Sequence, residues 1–175
     1  MMLLNLGCGG EKLEGYIGVD IVSGENVDVV AEIENLPFET SSVDVVRCWN
    51  VLEHVDDLNA CMKEIHRVLK PGGEVIISVP HWSGWLSHYE EHVRDFNLYS
   101  FMDYTSKKRM TSRHGIEFEI ISRKIVWDTH GLLSYNKAID WLVNTDEKSQ
   151  AIYEQTFLAY LFPAIEIHFT LKVKK

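Results

Sequence analysis

Through the first 80 residues the apolar positions fall in short runs rather than in stripes. Met2-Leu3-Leu4-Asn5-Leu6, Tyr16-Ile17-Gly18-Val19-Asp20-Ile21, Val27-Asp28-Val29-Val30-Ala31, Val43-Asp44-Val45-Val46-Arg47-Cys48-Trp49 and Glu74-Val75-Ile76-Ile77-Ser78-Val79-Pro80 are the five runs. Runs of this length, rich in β-branched residues, read as buried parallel strands. Between the last two, Leu58, Cys61, Met62, Ile65, Val68 and Leu69 recur at helical spacing. That predicts one amphipathic helix over 57–69, ended by Pro71-Gly72-Gly73. Strands alternating with a helix imply right-handed crossovers and an α/β, doubly wound, mostly parallel sheet.

The second half is patterned differently. Residues 83–113 are polar and aromatic, 116–127 reads as a long strand, and 134–144 and 147–162 read as two helices. The aromatic positions of the second helix, Tyr153, Phe157, Tyr160 and Phe162, read as core. In 164–174, Ile165, Ile167, Phe169, Leu171 and Val173 alternate with Glu166, His168, Thr170 and Lys172. One face of that strand is therefore wetter, as at an antiparallel edge. Nothing resembling a repeat or linker divides the chain, so 1–175 is expected to be one domain, with 128–163 as an insertion in its second half.

Composition narrows the function classes. Of 175 residues, 46% are apolar and 25% charged, as in ordinary globular proteins. Acidic residues outnumber basic ones 26 to 17, for a net charge of −9. This charge disfavours nucleic acid as a partner, although Lys107-Lys108-Arg109 with Arg113 would make one local basic patch. No apolar run approaches the ~20 residues of a membrane span. Met1-Met2-Leu3-Leu4-Asn5 lacks the charged region of a signal peptide, so a cytoplasmic location is expected. Cys8, Cys48 and Cys61 form no CxxC pair, which favours reduced thiols over a disulfide framework or zinc site.

The first run ends in Leu4-Asn5-Leu6-Gly7-Cys8-Gly9-Gly10, where glycines allow a tight turn and close backbone approach to a ligand. Asp20 ends the second run, where a carboxylate can accept hydrogen bonds from a ribose diol. By itself the pattern is equally a glycine turn and a strand-end acid with no ligand. Dinucleotide binding asks for Gly or Ala three residues after the second Gly, and Lys12 stands there. The stretch 7–15 is also too short for a helical crossover, so a nicotinamide-dependent oxidoreductase is disfavoured.

Four motifs together resemble the class I S-adenosylmethionine-dependent methyltransferases, in particular their type-11 group. They are Leu4-Asn5-Leu6-Gly7-Cys8-Gly9 with Gly15-Tyr16-Ile17-Gly18-Val19-Asp20-Ile21; Glu32-Ile33-Glu34-Asn35-Leu36-Pro37-Phe38; Ser42-Val43-Asp44-Val45-Val46 leading to Asn50-Val51-Leu52-Glu53-His54-Val55; and Glu64-Ile65-His66-Arg67-Val68-Leu69-Lys70-Pro71-Gly72-Gly73. The resemblance covers residues 3–81. It implies a Rossmann-like, seven-stranded methyltransferase fold with an antiparallel C-terminal strand, and S-adenosylmethionine as cofactor. It also implies a cofactor-binding half over 1–81 and a substrate and lid half over 82–175. The implied cofactor-binding positions are Leu6, Gly7, Cys8, Gly9, Asp20, Ile21, Glu32, Ile33 and Asn50. The backbone of Gly7-Cys8-Gly9 would pass under the methionine part, and Asp20 would hold the ribose hydroxyls. Glu32 and the Ile33 amide would face the adenine, and Asn50 would stand by the methionine amine and sulfonium.

Two departures from the family pattern shape the expectation. The first two crossovers are cut to a turn at most, and the sequence begins on the first strand without the helices that cap the cofactor in many relatives. Residues 82–112 and the insertion are then left to form the lid and the acceptor pocket. Sheet surface left uncovered points to a homodimer. The short layout is similar to members found with glycan-building enzymes, so a small-molecule or glycan-type acceptor is expected.

Methyl transfer is an in-line displacement at an activated carbon, so alignment and exclusion of water are the protein's main tasks. A general base is needed for a hydroxyl or a protonated amine. The candidate catalytic residues are His54 after the fourth strand, His81 after the fifth, and His92, whose His92-Val93-Arg94 is similar to an HxR element of type-11 members. Glu53-His54 reads equally as a helix cap with a structural histidine. His88-Tyr89-Glu90-Glu91-His92 spells an inverted zinc-protease pattern, but no long helix surrounds it and no metal is expected. The function expected is methyl transfer to a small or medium acceptor at oxygen or nitrogen. The alternative is a non-catalytic scaffold that keeps the fold.

Overall fold

In the computed structural model, which describes residues 1–105, 114–129 and 136–175, the apolar runs become strands of a single sheet. These are β1 (Leu3–Leu6), β2 (Ile17–Asp20), β3 (Val29–Val30), β4 (Val43–Trp49), β5 (Leu69–Pro80), β6 (Glu117–Val126) and β7 (Glu166–Lys174). Their order is β3-β2-β1-β4-β5-β7-β6. β1 to β5 pair in parallel, and β7 lies antiparallel between β5 and β6. The chain winds outward from β1 through β2 to β3, then returns to β4 on β1's other side. Such a reversal opens a crevice at the carboxyl ends of β1 and β4, which is where open α/β sheets bind ligands.

Helix α1 (Leu58–Val68) starts at Asp57, whose carboxylate accepts a hydrogen bond from Ala60 N at 3.0 Å. Its apolar stripe of Cys61, Met62, Ile65 and Val68 is buried against the sheet. Pro71-Gly72-Gly73 does not end this helix, contrary to expectation. Leu69 already pairs with Val43, and the register then jumps to Val45 opposite Glu74, so the three residues bulge out of β5. Pro71 has no N–H for the ladder, and Gly72 takes φ +76°, as a bulge allows.

Right-handed connections place the β1–β2 crossover on the face opposite α1. No helix forms in residues 7–16 or 21–28. On that face Arg47 bonds Asn5 Oδ1 at 3.0 Å and Glu11 at 2.6 Å, with its guanidinium 4.5 Å from the Trp49 ring centroid. The two faces of β7 are also unequally covered. Ile167, Phe169, Leu171 and Val173 are buried on α1's side, whereas Glu166, His168, Thr170 and Lys172 are half-buried on the other. β7 is therefore an interior strand, not an edge, and β6 takes the edge position.

The insertion forms α2 (Asn136–Val143), α3 (Glu147–Gln155) and α4 (Leu158–Leu161). The helix expected over 147–162 is broken where Thr156 turns extended after α3. Of its aromatic positions Tyr153 is buried and Phe162 packs against the core, whereas Phe157 is 68% and Tyr160 75% exposed, so half of that face is surface rather than core. The basic cluster at 107–109 and 113 lies outside the described residues. Cys8, Cys48 and Cys61 are free and buried, and burial pushes the Cys48 thiol up to about 12. Among the described residues, no helix is long and apolar enough to cross a membrane.

Candidate active site

A cavity of about 700 Å³ opens at the carboxyl ends of β1, β2, β3 and β4. Gly7, Asp20, Ile21, Glu32, Ile33 and Asn50, six of the positions singled out in the sequence, line it. Leu6 is wholly buried in the core, and Cys8 and Gly9 stand behind the lining. Their work is indirect. Gly9 N donates to Asp20 Oδ2 at 2.8 Å and Val22 N to Oδ1 at 3.1 Å, which fixes the Asp20 carboxylate at the rim. Cys8 packs its thiol toward the Asn26 carbonyl at 3.7 Å.

Gly7 is required twice over. Its φ is +64°, and a Cβ there would fall 2.3 Å from Cγ2 of Val51, itself a lining residue. Lys12, where a dinucleotide site needs a small residue, turns away and pairs with Asp28 at 3.2 Å.

The lining is one-signed. Asp20, Glu32, Glu34, Asp56 and Glu91 bring five carboxylates, and no lysine or arginine is among the lining residues described. Such a pocket attracts a cation and repels a phosphate or pyrophosphate.

Asn50 leaves β4 with φ +49°, a conformation that Asn tolerates better than most residues. Its side-chain Nδ2 donates to Glu166 Oε1 at 3.1 Å. Glu166 also accepts from Ser78 Oγ at 3.1 Å and pairs with His168 at 2.9 Å. The His168 contact, against the opposing push of burial, holds the Glu166 carboxyl below its ordinary range. Sequence reasoning missed Glu166. Its signal is the β7 register, which sets it beside Pro80 at the functional end of the sheet.

A smaller cavity of about 210 Å³ adjoins the first and shares Asn50, His54 and Glu91 with it. Glu53, His92, Pro80, Leu86 and Tyr89 complete its wall. The His54 and His92 rings meet edge to face, their centroids 4.8 Å apart. Burial pushes Glu53 up to about 7, and burial together with His54 lowers His92. Of the two histidines in the inverted zinc-protease pattern, only His92 reaches this place, because His88 ends a 3-10 turn and is exposed.

His81 is elsewhere. It is fully buried, with Nδ1 at 2.8 Å from Ser83 Oγ and Nε2 at 3.2 Å from Glu154 Oε2, and it lines neither cavity. Glu154, on α3, also accepts from Trp82 Nε1 and from Leu98 N at 3.1 Å. Burial alone would raise the Glu154 carboxyl, but these donors outweigh it and hold it below its ordinary range. The group ties the insertion to the end of β5.

Residues 4–77 match a family described as a methyltransferase domain. A demethylmenaquinone methyltransferase of Staphylococcus epidermidis is 45% identical over 53 residues, 30% of this chain and 22% of that protein. A ubiquinone biosynthesis O-methyltransferase of Pseudomonas syringae is 31% identical over 99 residues, 43% of each chain. The match thus spans less than half the length of these relatives. A SAM-dependent methyltransferase of Archaeoglobus fulgidus has the same fold, with a TM-score of 0.59 at 16% identity over 98% of this chain and 85% of that one.

Proposed function

We propose that this chain, a class I S-adenosylmethionine-dependent methyltransferase by its fold and by the motifs of residues 4–77, moves a methyl group to oxygen or nitrogen of a small acceptor. The lining of the larger cavity carries the reading. S-adenosylmethionine has a sulfonium and an ammonium, a ribose diol, an adenine and no phosphate, which suits five carboxylates with no lysine or arginine among the described lining residues. About 700 Å³ is also in the range of small-ligand sites. When bound, the cofactor supplies a methyl group already activated by the positive sulfur.

The protein's own residues hold and align. Asp20, fixed by the Gly9 and Val22 amides, offers its free lone pairs to the ribose hydroxyls. Glu32 and the Ile33 amide face the adenine, and the Gly7 backbone lets the methionine part lie close. Glu166 presets Asn50 beside the ammonium. The acceptor takes the smaller cavity, whose Pro80, Leu86 and Tyr89 suit an apolar body. His54 and His92 are the groups there that stand beside an acceptor hydroxyl or amine. His81 acts as a structural residue that anchors the lid half through Glu154.

Exposed Trp141, Phe157, Tyr160 and Leu161 on the insertion support a homodimer, and the free buried thiols support a cytoplasmic location. The test is turnover to S-adenosylhomocysteine with a panel of small hydroxyl and amine acceptors. Turnover with at least one acceptor is expected. Tight cofactor binding with no turnover on any of them would favour the non-catalytic scaffold instead.

A further inference from the structure

Three ligand-type side chains converge where the two cavities meet. Glu53, His54 and His92 each offer one ligand atom, and all three atoms lie within 4.8 Å of one another. Two of the three groups are otherwise unaccounted for. Glu53 is 1% exposed with Oε2 buried and unpartnered, and His92 Nδ1 is likewise buried without a partner. Buried carboxylate oxygens and imidazole nitrogens rarely go unpaired unless something else satisfies them.

The surroundings are those of a preset ligand group. His54 Nδ1 lies 3.2 Å from the Glu91 carbonyl oxygen, so Nδ1–H donates to it and the Nε2 lone pair stays free. The buried Nδ1 of His92 remains bare. The two segments are also clamped together. Val93 N donates to the Glu53 carbonyl at 2.9 Å, and Arg94 to the Asp56 carbonyl at 2.8 Å. The cluster therefore holds its geometry without an ion to organise it.

We propose that Glu53, His54 and His92 bind a divalent transition-metal ion that holds the acceptor hydroxyl. Two imidazoles and one carboxylate suit Zn²⁺, Fe²⁺ or Co²⁺ rather than the all-oxygen preference of Mg²⁺ or Ca²⁺, and they leave coordination positions open. Those positions face the 210 Å³ cavity with Pro80, Leu86 and Tyr89, so the acceptor class is an apolar molecule bearing a hydroxyl. The ion's role in catalysis rests on the methyltransferase reading, whereas its binding does not. The hydroxyl oxygen coordinates the ion and sheds its proton to water. The oxygen–methyl bond then forms as the carbon–sulfur bond breaks, and the electron pair goes to the neutral thioether. The imidazoles act on the acceptor through the ion rather than as bases.

The test uses the full chain after chelator treatment, titrated with Co²⁺ and followed by its visible d–d absorption. Binding at one ion per chain, displaced by Zn²⁺, is expected. His92→Ala and Glu53→Gln should each weaken Co²⁺ by at least about 100-fold while the S-adenosylmethionine Kd stays within about threefold. Saturable one-to-one binding should also shift two histidine ring resonances of the unmodified protein, which does not depend on the variants folding. No one-to-one Co²⁺ binding by the unmodified chain, or both variants binding as it does, would overturn the site. Co²⁺ binding without any S-adenosylmethionine binding would keep the site and remove its role in methyl transfer.

Discussion

Replacing Glu154 with Ala should cost far more than its place on a surface-laid insertion suggests. Its carboxylate, 5% exposed, accepts from His81, Trp82 and the Leu98 amide, so the change strands three donors, two of them fully buried. Breaking one partner of a buried ionic and hydrogen-bonded group costs about 3–5 kcal/mol. For a domain of this size each kcal/mol moves Tm by about 2–4 °C, so the expected drop is roughly 6–20 °C. The comparison variant is Glu147→Ala, whose contact to Arg123 is 3.6 Å with Glu147 79% exposed, and it should move Tm by less than about 2 °C. Thermal melts followed by circular dichroism read both. S-adenosylmethionine affinity should be nearly unchanged in Glu154→Ala below its melting range, because neither Glu154 nor His81 lines the larger cavity. A Tm shift no larger than that of Glu147→Ala would refute the buried staple.

Gly7→Ala places a methyl 2.3 Å from Val51 Cγ2 at φ +64°, and a loss of about 2–4 kcal/mol in urea unfolding is expected, with weakened cofactor binding. Glu166→Gln keeps the shape but removes the charge that holds Asn50, so calorimetry should show S-adenosylmethionine bound about fivefold more weakly, near 1 kcal/mol. Acid should destabilise the fold. Glu64, held low chiefly by Arg67, and Glu154, held low against its burial, are both ionised more readily folded than unfolded. Their contribution is complete above the ordinary carboxyl range near 4.5 and is lost as pH falls through their folded values. The urea midpoint should therefore fall between pH 5 and pH 3, and an unchanged midpoint would contradict the assignment.

Most of the sheet was legible because its strands are continuous apolar runs with few competing readings. What periodicity does not carry is the order of strands and what covers each face. The clean alternation of β7 therefore pointed to an edge, although β7 is an interior strand with one face buried and the other half-buried. Gly7 and Asp20, which stand out in the strand-end turn, and Glu32 and Asn50, which the family resemblance implied, all come to line the larger cavity. Glu34, Asp56 and Glu91 were not legible, because loops and turns bring them to the cavity from three separate segments. His81 shows a usable signal that goes unread. It continues the parity of Ile77 and Val79, both fully buried, so its side chain points into the packed layer rather than over the strand ends.

The central claim is that the larger cavity holds a cationic adenosyl ligand. Isothermal titration of the chain with S-adenosylmethionine and with NADH tests it most directly, together with Asp20→Ala. Saturable S-adenosylmethionine binding, none by NADH, and a roughly 10- to 150-fold loss in Asp20→Ala are expected, the loss being that of charge-assisted hydrogen bonds to a ribose. Binding of NADH in place of S-adenosylmethionine, or an affinity untouched by Asp20→Ala, would contradict it.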